Sequence, residues 1–232
     1  MKNIMGIIQF FLKRKGEMAK MHHMATQEIV EGIYVIETKN ANFHLVKAEE
    51  GYIAIDAGGS DAGAVQIELA KLNINPDQVK HILLTHTDFD HVAALSLFEK
   101  ATIYLPEEEV QHTDGTTGRL FGMGRNKFDY DYEVIKDQEE LGLENRKITA
   151  ILTPGHTQGS TCYLMDDKYL FVGDTLSLQE GRVELFNSLF NQDDALQEKS
   201  IQKLAKMKGL THIFTPHYGF TNHPEKAFKA FK

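Results

Sequence analysis

A chain of 232 residues with 42% hydrophobic side chains can bury a sizeable core, and it falls in the range over which a layered α/β fold stays one domain. Its formal net charge of −8 offers nothing to attract a phosphate backbone, so nucleic acid is not an expected partner. The single cysteine, Cys162, excludes an intramolecular disulfide and a thiolate cluster, so any metal must be held by carboxylates and by some of the eleven histidines.

The chain opens with an apolar run joined to a basic cluster, Met1 to Lys15. Gln9 interrupts the run, which is far shorter than the ~20 residues that span a bilayer, and Lys13-Arg14-Lys15 stands where a signal peptide would have small residues. Residues 1–24 therefore read as a retained helical appendage. It suits docking, a homodimer contact or an anionic membrane surface, and a cloning-derived extension fits equally well. His22 and His23, within it, read as solvated. With no transmembrane segment and no cleavable leader, the expected compartment is the cytoplasm.

Residues 25–232 read as one domain. The segments IVEGIYVIET, NFHLVKA and GYIAIDAGG predict three antiparallel strands separated by Gly or Asn. Ala62 to Leu72 has helical apolar spacing and stops before Asn75-Pro76, and the strand HILLT (His81 to Thr85) follows. Val92 to Phe98 predicts a helix, Ala101 to Leu105 a strand, and Pro106 to His112 a short helix with Pro in its first turn. Thr113 to Asp131 is glycine-rich and has neither period, so it reads as a long loop, as does Leu176 to Gln192. Strands are expected at Tyr132 to Lys136, Lys147 to Leu152, Thr161 to Met165, Tyr169 to Val172 and Thr211 to Thr215. Helices are expected from about Asp193 to Met207 and after Asn222.

The chemistry concentrates at strand ends. HILLT runs into His86-Thr87-Asp88-Phe89-Asp90-His91, four potential ligands in six residues at the C-terminal end of a strand, where α/β proteins build sites. His86 and Asp88 lie two apart, so extended backbone points both to one side, while Asp90 and His91 begin the next turn and can face a neighbouring position. A plain polar loop with one Asp capping the next helix would explain this segment alone. It does not explain Thr153-Pro154-Gly155-His156, Val172-Gly173-Asp174 and Thr215-Pro216-His217, each of which sets a His or Asp just past a predicted strand.

These four segments, in this order, resemble the metal motifs of the metallo-β-lactamase superfamily from about Ile29 to the C-terminus. The resemblance implies a four-layer αββα sandwich with a dinuclear site at one sheet edge. It assigns His86, Asp88 and His156 to one metal, and Asp90, His91 and His217 to the other, with Asp174 as bridge. Asp56, in IDAGG, resembles the family's supporting Asp, which binds no metal. Most members have His where this chain has Asp88. Carboxylate there lowers the net charge of the centre, so iron or manganese becomes credible beside the zinc that the family implies.

The implied reaction is hydrolysis by a metal-bridging hydroxide, with Asp90 orienting the nucleophile and carrying its proton. The expected substrate is a small ester, lactone or thioester. The lack of a C-terminal helical domain speaks against a glutathione thioesterase of the glyoxalase kind. The carboxylate at position 88 also resembles the diiron flavoprotein oxygen or nitric oxide reductases. The chain ends fifteen residues past His217 without a flavin-binding segment, which keeps hydrolysis ahead of that redox reading. A metal-binding sensor without turnover is the third reading. Tyr218 is a candidate substrate contact, and Arg119, Arg125 and Lys127 could meet an anionic group. Cys162, His44, His81 and His212 read as structural, and His112 and His223 as exposed.

Overall fold

The computed structural model describes residues 21, 23–119 and 128–232, so the predicted N-terminal helix lies outside the described residues. The first sheet begins with β1 (Gln27–Val30), β2 (Ile33–Ile36), β3 (Phe43–Lys47) and β4 (Tyr52–Ile55), which pair antiparallel. One predicted strand is thus two. Gly32, at φ +74°, turns the chain after Glu31, and Val30 pairs back onto Ile33.

Helix α1 (Ala62–Lys71) starts at Asp61, whose carboxylate accepts from the Ala64 amide at 3.1 Å. It carries the chain across to β5 (Val79–Leu83), which runs parallel to β4. The predicted helix from Val92 to Phe98 is shorter and earlier. A single turn, α2 (Phe89–Val92), precedes a 3-10 turn at Leu95–Leu97. Strand β6 (Thr102–Pro106), helix α3 (Val110–Thr113) and strand β7 (Glu133–Ile135) complete this half, giving a seven-stranded sheet in the order β1 to β7.

The second half contains β8 (Glu140–Leu143), β9 (Arg146–Leu152), β10 (Thr161–Met165), β11 (Tyr169–Phe171), β12 (Ser177–Gln179), β13 (Arg182–Glu184), α4 (Asp194–Ala205), β14 (His212–Phe214), β15 (Phe220–Thr221) and α5 (Pro224–Ala227). Six of these strands form the second sheet, in the order β15-β14-β11-β10-β9-β8. β8 was not expected, since its four residues include a glycine and lack β-branched side chains. The segment predicted as loop from Leu176 carries the β12–β13 hairpin.

Alternation along the strands sorts the side chains into three apolar layers. Ile33, Val46, Ile53, Leu83 and Tyr104 from the first sheet meet Ile148, Tyr163, Met165, Phe171 and Phe214 from the second. The opposite face of the first sheet, with Leu45, Ile82 and Leu105, packs on Val65 and Leu69 of α1. The opposite face of the second, with Ile151, Cys162 and Ile213, packs on Ile201 and Leu204 of α4. The result is a four-layer αββα sandwich.

The sheets are also hydrogen-bonded to each other along one edge. The Thr161 amide donates to the Thr85 carbonyl at 2.9 Å, the Tyr163 hydroxyl to the Leu84 carbonyl at 2.7 Å, and the Asn42 amide to the Pro216 carbonyl at 3.0 Å. Each bond ties a strand end or loop that bears a candidate ligand to the opposite sheet. Among the described residues no helix is long and apolar enough to cross a membrane.

Candidate metal centre

The segments after β5, β9, β11 and β14 converge on that edge. His86, His156 and Asp174 place ligand atoms within 4.8 Å of one another, and Asp90, His91 and His217 form a second such group. Asp174 lies between them. Its Oδ1 is 3.5 Å from His91 Nε2 and 3.2 Å from His217 Nε2, and its Oδ2 is 3.4 Å from His156 Nε2. Gly173 makes this approach possible: at φ +49° a Cβ there would lie 2.6 Å from Thr85 Oγ1.

All four imidazoles present Nε2 inward because each Nδ1 is engaged behind the ring. His91 Nδ1 donates to Asp56 Oδ2 at 2.8 Å, His156 Nδ1 to Asn191 Oδ1 at 3.1 Å, and His217 Nδ1 to the Asn40 carbonyl at 3.0 Å. His86 Nδ1 meets the Thr85 hydroxyl at 3.0 Å. That hydroxyl donates its own hydrogen to Asp56 Oδ2, so it accepts from His86. Rings held this way carry their hydrogen on Nδ1, so Nε2 is the nitrogen whose lone pair a metal would take.

The buried centre fits a metal on its own chemistry. Nε2 of His86, His91 and His217 and Oδ1 of Asp174 have no hydrogen-bond partner, although burying such atoms unsatisfied costs free energy. Divalent ions between the two groups would satisfy them together, and a donor set of imidazole and carboxylate suits zinc, iron or manganese. The field is arranged for cations. Burial disfavours a charged His91, yet the Asp56 and Asp174 carboxylates outweigh it and hold His91 well above the usual range. Burial would raise Asp174, but His217, His91 and His156 hold it well below the carboxylate range.

Asp56 is reached through a left-handed backbone, φ +64°, uncommon for a residue with a side chain. Its carboxylate accepts from the Thr85 amide at 2.7 Å as well as from the Thr85 hydroxyl and His91, and these bonds hold the conformation.

Asp88 is placed differently from the other six. It stands at the N-cap of α2 without a capping hydrogen bond. Instead Arg119 Nε donates to its Oδ1 at 2.6 Å and Arg119 Nη2 to its Oδ2 at 2.7 Å. Its Oδ2 also lies 3.1 Å from His156 Nε2 and 3.6 Å from His86 Nε2. Burial would raise this carboxyl, but the adjoining His156 and His86 imidazoles and the Arg119 guanidinium hold it far below the carboxylate range.

A cavity of about 410 Å³ opens over the centre. Asp88, Asp90, His156, Asp174 and His217 form its floor, and Phe89, Phe186 and Phe190 contribute an aromatic wall. Tyr218 is buried behind the ligands, its ring 6.0 Å from Phe186, and it belongs to the apolar layer under α4. Arg125 and Lys127 lie outside the described residues. His23 corrects the expectation of a solvated residue. It is half-buried, lines the cavity and meets His217 edge-on at 6.4 Å, because the Met24 carbonyl is held by Asn42 Nδ2 at 2.8 Å. His112 is likewise buried, on the inner face of α3, and Cys162 is a fully buried core residue.

Glu109 carried no sequence signal, since it ends the run Glu107-Glu108-Glu109 that reads as a solvated surface. It is fully buried and accepts from the Thr87 amide at 2.9 Å, the Thr87 hydroxyl at 2.8 Å and the Thr157 hydroxyl at 2.7 Å. One carboxylate thereby ties the loop bearing His86 to the loop bearing His156. Asn40, Asn191 and Thr85 were missed for the same reason: each partnership exists only across the fold.

Comparison with known proteins agrees with this geometry. The family model of the metallo-β-lactamase superfamily matches residues 37–217. A probable metallo-hydrolase of Methanocaldococcus jannaschii is 29% identical over 168 residues, which cover 72% of this chain and 71% of that protein. The lactamase-like protein adaB of Aspergillus niger is 27% identical over 61% of this chain, which spans only 40% of that protein's length. A crystal structure of a metallo-β-lactamase family protein from Thermus thermophilus superposes with a TM-score of 0.67 at 22% identity. The match covers 88% of this chain and 79% of the other.

Proposed function

The chain belongs to the metallo-β-lactamase superfamily, and on that footing we propose that it is a dinuclear metal-dependent hydrolase of a small ester, lactone, thioester or related substrate. The observation that carries this reading is the pair of ligand groups joined at Asp174, with every imidazole turned Nε2-inward at the floor of a cavity. The name of the Methanocaldococcus jannaschii relative points the same way.

Divalent ions bound there, zinc by family likeness with iron or manganese as alternatives, would supply a water of lowered pKa and polarise the scissile carbonyl. Asp90, which lies 3.7 Å from His217 and reaches the cavity, orients the attacking water and carries its proton to the leaving group. Phe89, Phe186, Phe190 and Met21 receive an apolar part of the substrate, while Lys39 and Asn40 supply polar contact at the mouth. The diiron oxidoreductase reading drew on a carboxylate ligand at position 88, and with both Asp88 oxygens on Arg119 that ground is weakened.

The test pairs elemental analysis of metal-saturated protein with turnover on aryl esters, lactones and thioesters. Close to two ions per chain and hydrolysis of at least one class are expected. Metal-loaded protein inert to every ester but able to reduce oxygen from a supplied donor would move the assignment to the oxidoreductases. Loaded protein inert in both assays would leave a binding module.

A further inference from the structure

Arg119 has an unusual set of partners for a loop arginine. Its side chain is nearly inaccessible, and its guanidinium takes both oxygens of Asp88, at 2.6 and 2.7 Å, and the Phe190 carbonyl at 2.8 Å. Its Nη2 also lies 2.9 Å from His156 Nε2. Since His156 Nδ1 donates to Asn191, Nε2 carries the lone pair, and Arg119 donates to the orbital that a metal would use. Among the described residues its Nε and Nη2 are both turned onto protein partners and the side chain is nearly closed off from solvent, which suits a charge kept within the protein.

Resting on the metal-centre reading, we propose that Arg119 is a resident counter-ion of this centre: it withdraws Asp88 from the ligand set and competes with the metal for His156, so the two metal positions fill unequally. At Asp90, His91 and His217 the two Nε2 atoms face carboxylates that are themselves candidate ligands, Asp174 Oδ1 at 3.5 and 3.2 Å and Asp90 Oδ2 at 3.7 Å from His217, so an ion settling there keeps those groups as its own ligands. At His86, His156 and Asp174 it must first take His156 from Arg119. Displacing a charge-assisted hydrogen bond makes that step weaker by about tenfold or more.

The pairing also changes the electrostatics expected from the sequence. Asp88 contributes one negative charge and Arg119 one positive, so the pair is formally neutral, as an imidazole at position 88 would be. Asp90 and Asp174 are then the carboxylates that offset two divalent ions. The preference for a hard metal that an isolated Asp88 would impose is removed.

The proposal is tested by titrating chelator-stripped protein with cobalt(II), following ligand-field absorption and heat, for the wild type, Arg119→Met and Arg119→Lys. The wild type should bind two equivalents in resolved steps, the second at least about tenfold weaker. Arg119→Met should tighten the second step by about tenfold and leave the first within about threefold, with Arg119→Lys tightening it less because ammonium lacks the planar fork. Folded Arg119→Met protein whose second step is unchanged or weaker overturns the proposal, since Arg119 would then support Asp88 as a ligand. If the Met variant does not fold, the Lys variant decides by the same sign. Failure of the wild type to bind cobalt removes the metal-centre reading as well, whereas two steps insensitive to Arg119 remove this inference alone.

Discussion

Asp56 Oδ2 accepts from His91 Nδ1 and from the Thr85 hydroxyl, each at 2.8 Å, and that hydroxyl accepts in turn from His86 Nδ1 at 3.0 Å. A single carboxylate thereby orients one imidazole in each ligand group. An amide has one acceptor oxygen where Asp56 uses two, so Asp56→Asn should weaken metal binding by about 10- to 100-fold at both positions while the variant still folds. Metal titration beside a melting curve checks this; unaltered affinity with a lowered Tm would make Asp56 a purely structural residue.

Glu109 is the buried link between the two histidine-bearing loops. Glu109→Ala strands donors on Thr87 and Thr157 and opens a void, which should cost about 3 kcal/mol of folding stability. Glu109→Gln keeps one acceptor oxygen and should cost less. Denaturant unfolding of stripped protein measures both, and a loss below about 1 kcal/mol for the Ala variant would show that the loops hold without it.

Phe89 and Phe190 are exposed large hydrophobics on the cavity wall. Neither side chain offers a ligand atom, so Phe89→Ala and Phe190→Ala should raise KM for apolar acyl esters about three- to tenfold and leave kcat within about twofold. Steady-state kinetics against acetyl and longer acyl esters of one alcohol checks it. A fall in kcat with constant KM would place these rings in the chemistry and not on the wall.

His44 supplies a pH dependence. It is buried between the sheets against Phe171 and Phe214, and burial, opposed only by Asp56, pushes its pKa from 6.5 down to about 4. Between those values the unfolded chain binds the proton and the folded one does not, so stability rises with pH across this window. It is fully present above 6.5 and is lost on acidification, by about 3 kcal/mol at pH 4. Relative to wild type, His44→Leu should lose this dependence. Unfolding of both stripped proteins between about pH 7 and about pH 4.5 measures it, and parallel curves would refute the assignment to His44.

The sequence by itself determined the family, the layered α/β fold and the residues gathered at the site. Strand ends marked by His or Asp survive in a linear reading because period-two alternation and Gly-Asp or Pro-His punctuation are local properties. His86, Asp90, His91, His156, Asp174 and His217 were legible for that reason, and the structure brings them together. Only the tertiary structure decided which partners these residues take. Asp88 looks like a ligand from its two-residue spacing to His86, yet a guanidinium 31 residues further along the chain occupies both its oxygens. Glu109 looks like surface charge, yet it is buried under two loops 22 and 48 residues away from it in the sequence. His23 looks like part of a solvated appendage, yet it lines the cavity beside His217. Contacts of this kind depend on which chain segments the packed sheets bring within hydrogen-bonding reach, and no local pattern in the sequence encodes that distance.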